Sequence, residues 1–396
     1  MPETSSADTT RSLACQRDAF SLPRGIHYLN CAYMGPLPRA AEAAGVAALR
    51  RKAVPTHIVP EDFFRDSDRL RSLFADLVGV SDPRRISIHP GVSYGVATAA
   101  RNLPLSRGQN VVLLHEQFPG NVHAWTRKAR EAGAEVRTVR PPDSAVSRGR
   151  LWNERLLDAI DARTAIVAVP NVHWTDGTVF DLEAVGARCR EVGAALVVDA
   201  TQSVGALPFD VKAVQPDVLV VAAYKWLLGP YSMALTYLSE RFDEGVPLEE
   251  TWIGRAHSED FQKLVDYQEA YQPGAARYDV AERSNFLLMP VALAALELVK
   301  EWSPERIRRY CAGLTADLLT EAAELGFTVE DARWRAPHLF GLRMPAGLEL
   351  PTLRDALQRR NVFVSLRGSA LRLSPNVYND EEDVAALLEG LREAVG

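Results

Sequence analysis

Between residues 85 and 240 the chain alternates short apolar runs with amphipathic stretches. The runs are RISIH (85–89), VVLL (111–114), AEVRTV (134–139), TAIVAV (164–169), AALVVDA (194–200), DVLVVAA (217–223) and SMALTYL (232–238). Most are continuously apolar rather than alternating, as strands are when both faces are covered, which points to a mainly parallel sheet. The segments GVSYGVATAARNL (91–103), NVHAWTRKAREAG (121–133) and DLEAVGARCREVG (181–193) between them carry helical spacing. The last opens on an aspartate suited to an N-cap. Strand, helix, strand in this order predicts an α/β domain with a seven-stranded sheet, whose ligands bind at the carboxyl ends of the strands.

After residue 283 the pattern changes. SNFLLMPVALAALELVKEW (284–302) predicts a long helix. A helix near 304–325, a strand around HLFGLRM (338–344), a helix at 351–360, short strands VFVSL and ALRLS, and a closing helix at 381–394 follow. This is the order of a smaller C-terminal α+β domain. The expected divisions are a disordered tail over 1–20, a large domain with its N-terminal arm over 21–285, and a linking helix plus small domain over 286–396. The stretch 241–282 is aromatic and loop-rich and yields no elements.

Composition excludes several function classes. With 396 residues the chain can hold two domains, and 47 % hydrophobic against 24 % charged residues is the balance of a soluble globular protein. A net charge of −6 gives no electrostatic case for nucleic acid or an anionic membrane. No apolar run approaches the roughly 18 residues that span a bilayer. The polar start MPETSSADTTRS lacks the apolar stretch of a signal peptide, and a cytoplasmic location is expected. Cys15, Cys31, Cys189 and Cys311 form no CxxC pair, and the eight histidines form no HxxxH or HExxH, so neither a disulfide framework nor a metal site is expected.

Six lysines serve the whole chain, at 52, 128, 212, 225, 263 and 300. Lys225, in VVAAYKWLLGP, alone lacks a charged residue or a glutamine within two positions. A lysine in an apolar crevice loses hydration of its ammonium form, so its pKa falls and the free amine can attack a carbonyl. Asp199 ends the run ALVVD, 26 residues earlier, which is about one helix-plus-strand unit. The two can lie on neighbouring strands facing one crevice. A third strand, RISIHP, ends in Gly91-Val92-Ser93 and opens a helix, a natural anion site. Taken singly, each has a plain structural meaning as a turn, a solvated lysine or a cap. Together, an amine for an aldehyde, a carboxylate for a ring nitrogen and a helix start for a phosphate are the requirements of pyridoxal 5′-phosphate.

The stretch VVDATQSVGALPFDV…PDVLVVAAYKWLLGP resembles the class V aminotransferases, fold-type I pyridoxal-phosphate enzymes that include cysteine desulfurases, kynureninases and isopenicillin-N-epimerase-like proteins. The resemblance runs from HYLNCAYMGPLP (27–38) to LRLSPNVYNDEEDV (371–384). It implies that Lys225 forms the Schiff base and shuttles the α-proton, that Asp199 pairs with the pyridinium, and that Gln202 hydrogen-bonds the phenolic oxygen. It further implies that Val92, Ser93 and Tyr224 meet the phosphate, that Phe118 stacks on the ring, and that Arg372 holds the substrate α-carboxylate. Ser284 and Asn285 resemble a segment that reaches a phosphate across a homodimer interface with shared active sites. Trp174, Arg367 and the segment 261–278 are candidates for reading the substrate side chain.

Departures from the pattern are informative. The region NVFVSLRGSALRLS has no cysteine where desulfurases carry their nucleophile, so a persulfide mechanism is not expected. Trp174 stands where desulfurases place an asparagine, Tyr224 replaces their histidine, and Ala222 replaces a phosphate-binding serine. The expected activity begins with an external aldimine of an amino acid and Cα-deprotonation. Transamination or β-elimination, including C–S or Cβ–Cγ cleavage, comes first. An epimerase and a non-catalytic cofactor-binding homologue are the alternatives. A nicotinamide-dependent dehydrogenase is disfavoured because no GxGxxG follows a strand.

Overall fold

Seven of the strands join in one sheet in the computed structural model, which describes residues 12–143, 147–367 and 370–396. In chain order the first half contains β1 (His27–Tyr28), α1 (Arg39–Lys52), α2 (Arg65–Leu77), β2 (Ile86–His89), α3 (Val92–Asn102), β3 (Asn110–Leu114), α4 (His123–Ala132), β4 (Glu135–Val139) and α5 (Arg148–Asp158). Then come β5 (Thr164–Pro170), α6 (Leu182–Val192), β6 (Ala195–Asp199), α7 (Val211–Val214), β7 (Val218–Ala222) and β8 (Ala234–Leu238). The C-terminal part has α8 (Leu288–Trp302), α9 (Pro304–Leu314), α10 (Ala316–Glu324), β9 (Phe340–Arg343), α11 (Leu350–Arg359), β10 (Val362–Phe363), β11 (Ser365–Arg367), β12 (Ala370–Leu373) and α12 (Glu381–Val395).

The large sheet has the order β2-β8-β7-β6-β5-β3-β4. Strands β7, β6, β5, β3 and β4 are parallel, and β8 runs antiparallel to both of its neighbours. Strand β2 therefore points the same way as the parallel set. Successive residues feed opposite faces: Val111 and Leu113 pack with α3 and α4, while Val112 and Leu114 pack with α2, α5 and α6. Both faces are covered, which is why the strands read as unbroken apolar runs. Edge strand β4 is the exception, with only Val139 buried.

The smaller unit is built on the antiparallel sheet β11-β12-β9, with Phe340, Leu342, Leu371 and Leu373 packed against α10, α11 and α12. The helix expected over 304–325 is two helices. Thr315 leaves helical geometry (φ −105°, ψ 3°) and its hydroxyl donates back to the Cys311 carbonyl.

Two divisions differ from the sequence reading. Residues 12–20 are packed rather than part of a disordered tail. Gln16 N–H donates to the Val377 carbonyl, Arg17 pairs with the buried Asp383 at 3.0 Å, and Phe20 meets Tyr378 and Trp302 edge-on or tilted. The rest of that expected tail, 1–11, lies outside the described residues. The N-terminal arm also sides with the small unit, because β1 pairs in parallel with β10 and Leu29 packs into the small unit's core. Conversely, α8 puts Met289, Ala292, Leu293 and Leu296 into the core of the large domain. No helix among the described residues is long and apolar enough to cross a membrane.

Candidate active site

The carboxyl ends of β2, β3, β5, β6 and β7 all reach one edge of the sheet. The loops leaving them carry Gly91 to Ser93, Gln117 and Phe118, Trp174, Asp199, and Tyr224 with Lys225. These residues line one cavity of about 300 Å³. The common direction of five strands thus gathers side chains spread over more than 130 positions.

Lys225 follows β7 in a turn fixed from several sides. Gly35 N–H donates to the Tyr224 carbonyl (2.9 Å), while Leu228 N–H (3.2 Å) and the Cys31 thiol (3.7 Å) donate to the Lys225 carbonyl. Leu228 itself sits in the left-handed region at φ 54°, which closes the turn. The Lys225 side chain is 6 % exposed and forms no salt bridge among the described residues. Its Nζ stands 5.4 Å from the centre of the Phe118 ring and 5.5 Å from that of Tyr224. Burial pushes its pKa down to about 8, opposed by the carboxylate of Asp199 and reinforced by Arg372.

Asp199 terminates β6, the neighbour of β7, as the spacing predicts. It is buried, and its Oδ1 accepts a hydrogen bond from Thr201 N–H (3.1 Å). No arginine or lysine forms a salt bridge with it among the described residues. Burial raises its pKa, against the hydrogen bonds from Thr201 and the charge of Lys225. A buried, unpaired carboxylate on a cavity wall is suited to a cationic ring nitrogen.

Gly91 precedes α3 and gives it no side-chain cap, so the first N–H groups of the helix lack intrahelical partners, and Val92 and Ser93 line the cavity. Phe118 is 43 % exposed, with its ring free to cover a planar ligand. Gln202 is more committed than expected: its Nε2 donates to the Ala32 carbonyl (3.2 Å) and its Oε1 accepts from the Trp226 indole (2.9 Å). One Nε2 hydrogen is left for a ligand. The amine, the carboxylate, the open helix start and the aromatic face together fit pyridoxal phosphate.

Trp174 ties three elements together. Its indole N–H donates to the Glu116 carbonyl (2.7 Å), its ring lies edge-on to Phe118 (5.6 Å), and its carbonyl accepts from Arg372 Nη1 (2.8 Å). Arg372, on β12, is 1 % exposed and does not line the cavity directly. Its Nη2 donates to the Ser365 hydroxyl (3.2 Å), while its Nε has no partner among the described residues. Burial lowers its pKa to about 10, and Arg367 adds to the effect.

Ser284 and Asn285, expected to reach a phosphate across a dimer interface, and the segment 261–278 lie away from this chain's own cavity. Ser284 donates its hydroxyl to the Phe63 carbonyl, and Asn285 is exposed, accepting from Leu287 and Leu288 N–H at the start of α8. Their local sequence makes them helix-start residues, and neither lines the cavity. The segment 261–278 also lies off the cavity. Phe261 packs with Phe63, Phe64 and Trp252 in an aromatic group of its own. The sequence reading missed Gln117, Asn121, Thr201, Tyr231, Ser232 and Met233, which do line the cavity. Only Thr201, inside the D-A-T-Q run, and Tyr231 to Met233, just past Gly-Pro, stood near a recognisable signal. Ala222 lines the wall where a serine was expected, and the nearby hydroxyls are those of Thr201 and Ser232.

Known proteins resemble the chain over most of its length. An uncharacterised aminotransferase of Bacillus subtilis, YcbU, is 28 % identical over 79 % of this chain and 80 % of its own. Isopenicillin N epimerase of Streptomyces clavuligerus is 24 % identical over 93 % and 94 %, and kynureninase of Pseudomonas fluorescens 28 % over 80 % and 75 %. Among solved structures, a mutant of C-DES with glycine covalently linked to its PLP cofactor superposes with a TM-score of 0.81 at 20 % identity, covering 95 % of this chain and 98 % of that one. The cysteine desulfurase of Thermococcus onnurineus gives 0.79 at 20 % identity, covering 95 % and 97 %. The family model described as aminotransferase class-V matches residues 53–387, and the chain belongs to that family, a group of pyridoxal 5′-phosphate-dependent enzymes of fold type I.

Proposed function

We propose that the chain is a pyridoxal-phosphate enzyme that removes the Cα proton of an α-amino acid, with Lys225 as the single proton carrier, and completes a transamination or a β-elimination. The observation that carries this reading is the buried amine of Lys225, pKa near 8, beside the unpaired carboxylate of Asp199 in one cavity. When bound, the cofactor supplies an aldehyde and a ring that accepts the electrons released at Cα.

The protein's own groups do the rest. Asp199 would hold the ring nitrogen charged, the start of α3 the phosphate, and Phe118 one ring face. Arg372 would grip the α-carboxylate through its planar fork, which turns the Cα–H bond toward Lys225 Nζ. The closed apolar walls keep the amine poorly hydrated and basic at neutral pH.

Lys225 is the one amine lining the cavity among the described residues, and burial brings its pKa down to about 8. Proton removal and return on one face follow from a single carrier, which favours transfer or elimination over epimerisation at Cα. An enzyme-bound persulfide is disfavoured, because no cysteine lines the cavity. Cys31, Cys189 and Cys311 are buried, and burial pushes the Cys31 thiol up to about 12. The test is a panel of amino acids given to the loaded enzyme, with keto acid, amino-group transfer, ammonia and sulfide as readouts. Keto acid or ammonia that vanishes in Lys225→Ala is expected. Racemised substrate as the only product would refute the reading.

A further inference from the structure

Two guanidinium groups beside the cavity form no ion pair with an acid among the described residues. Arg372 spends two N–H groups on neutral oxygens, those of Trp174 and Ser365, and its buried Nε has no partner among the described residues. Arg367, half-buried on the same hairpin, donates Nη1 to the adjacent Leu366 carbonyl (2.8 Å), and its buried Nε also has no partner among the described residues. Both stand over the Trp174 ring, with Cζ at 5.3 Å for Arg367 and 6.0 Å for Arg372. The acid on that turn, Asp176, is already taken by Arg148 (2.8 Å) and Arg343 (3.0 Å). The acid in the cavity, Asp199, faces Lys225. Arg367 and Arg372 also repel one another, and both depress the pKa of Lys225.

Keeping like charges together out of water costs free energy unless an anion joins them. One α-carboxylate satisfies Arg372 and leaves Arg367 unmatched. We propose that the substrate is an α-amino acid with a second anionic group on its side chain, the α-carboxylate held by Arg372 and the distal group by Arg367. This deepens the amino-acid reading above and rests on it.

The test uses the cofactor-loaded enzyme and unreactive acids without an amino group, with titration calorimetry as the readout. Succinate and glutarate are compared with propionate and butyrate. A charge-assisted fork should make each dicarboxylate bind about tenfold or more tighter than its monocarboxylate. In Arg367→Gln that advantage should disappear, the dicarboxylates losing about tenfold more affinity than the monocarboxylates. Arg367→Lys, which keeps the charge without the fork, should fall between and serves if Arg367→Gln fails to fold. Equal binding of mono- and dicarboxylates by the unaltered enzyme, or equal losses in the variant, would overturn the proposal. Failure of the cofactor reading is separately visible as missing visible absorbance, whatever the carboxylate titration gives.

Discussion

At the scale of single residues, the site gathers groups whose charged forms the fold disfavours by burial. The depression of Lys225 from 10.5 to about 8 means that the folded chain disfavours its ammonium form. For a base with a lowered folded pKa, the penalty is complete below pH 8. It fades as pH rises from 8 toward 10.5, where the unfolded chain also loses its proton. Lys225→Met, close in shape and uncharged, should therefore stabilise the cofactor-free protein at pH 7 by up to about 3 kcal/mol. Chemical denaturation should show that gain shrinking toward zero near pH 10.5. Destabilisation at pH 7 would mean that the amine is better solvated than its burial indicates. Lys225 and Asp199 were legible in the sequence because each breaks the rule of its surroundings, a charge ending an apolar strand. Tyr231, Ser232 and Gln117 break no rule, and only turn geometry brings them to the cavity wall.

At the scale of elements, the strands were legible and several helices were not. All seven runs became strands of the one sheet; two-sided burial leaves a continuous apolar signature in the others, while edge strand β4 buries only Val139. Helix α1 buries only Ala41 and Ala48 among its fourteen residues, so it carries no stripe of large side chains. Helix α5 is preceded by Ser147 in left-handed geometry and has no side-chain cap. Neither announces itself. The N-terminal arm is an element in its own right, since its turn at Gly35 braces the Lys225 loop. A Cβ at Gly35 would overlap the Lys225 carbonyl oxygen, a backbone atom that cannot step aside. Gly35→Ala should cost roughly 1–3 kcal/mol of stability by overpacking. It should also weaken cofactor retention, read by dialysis of the loaded protein. A variant with unchanged melting temperature and unchanged retention would show that the arm does not set the loop.

At the scale of the whole molecule, the two units meet through a shared core rather than a hinge of bare chain. Phe20, Trp226, Trp302 and Tyr378 belong to one apolar cluster that draws on the N-terminal arm, the Lys225 loop, α8 and the segment after β12. The same boundary is stitched at the site, where Arg372 of the small unit holds the Trp174 carbonyl of the large one. Polar composition hid the role of the first described residues, because Phe20 is the one fully buried side chain among residues 12–22, with Leu13 and Leu22 only partly covered. Phe20→Ala should cost about 3–5 kcal/mol in denaturant unfolding, the range for emptying a buried aromatic site. A loss below about 1 kcal/mol would make the arm a passive cover.

The claim on which the enzyme reading depends is that one buried amine, that of Lys225, holds the cofactor. It is tested most directly by borohydride reduction of the loaded protein followed by peptide mapping. The account predicts a pyridoxyl mass on the peptide containing Tyr224, Lys225 and Trp226, and none in Lys225→Ala. A label on any of the other five lysines, or none on a protein saturated with cofactor, would contradict it.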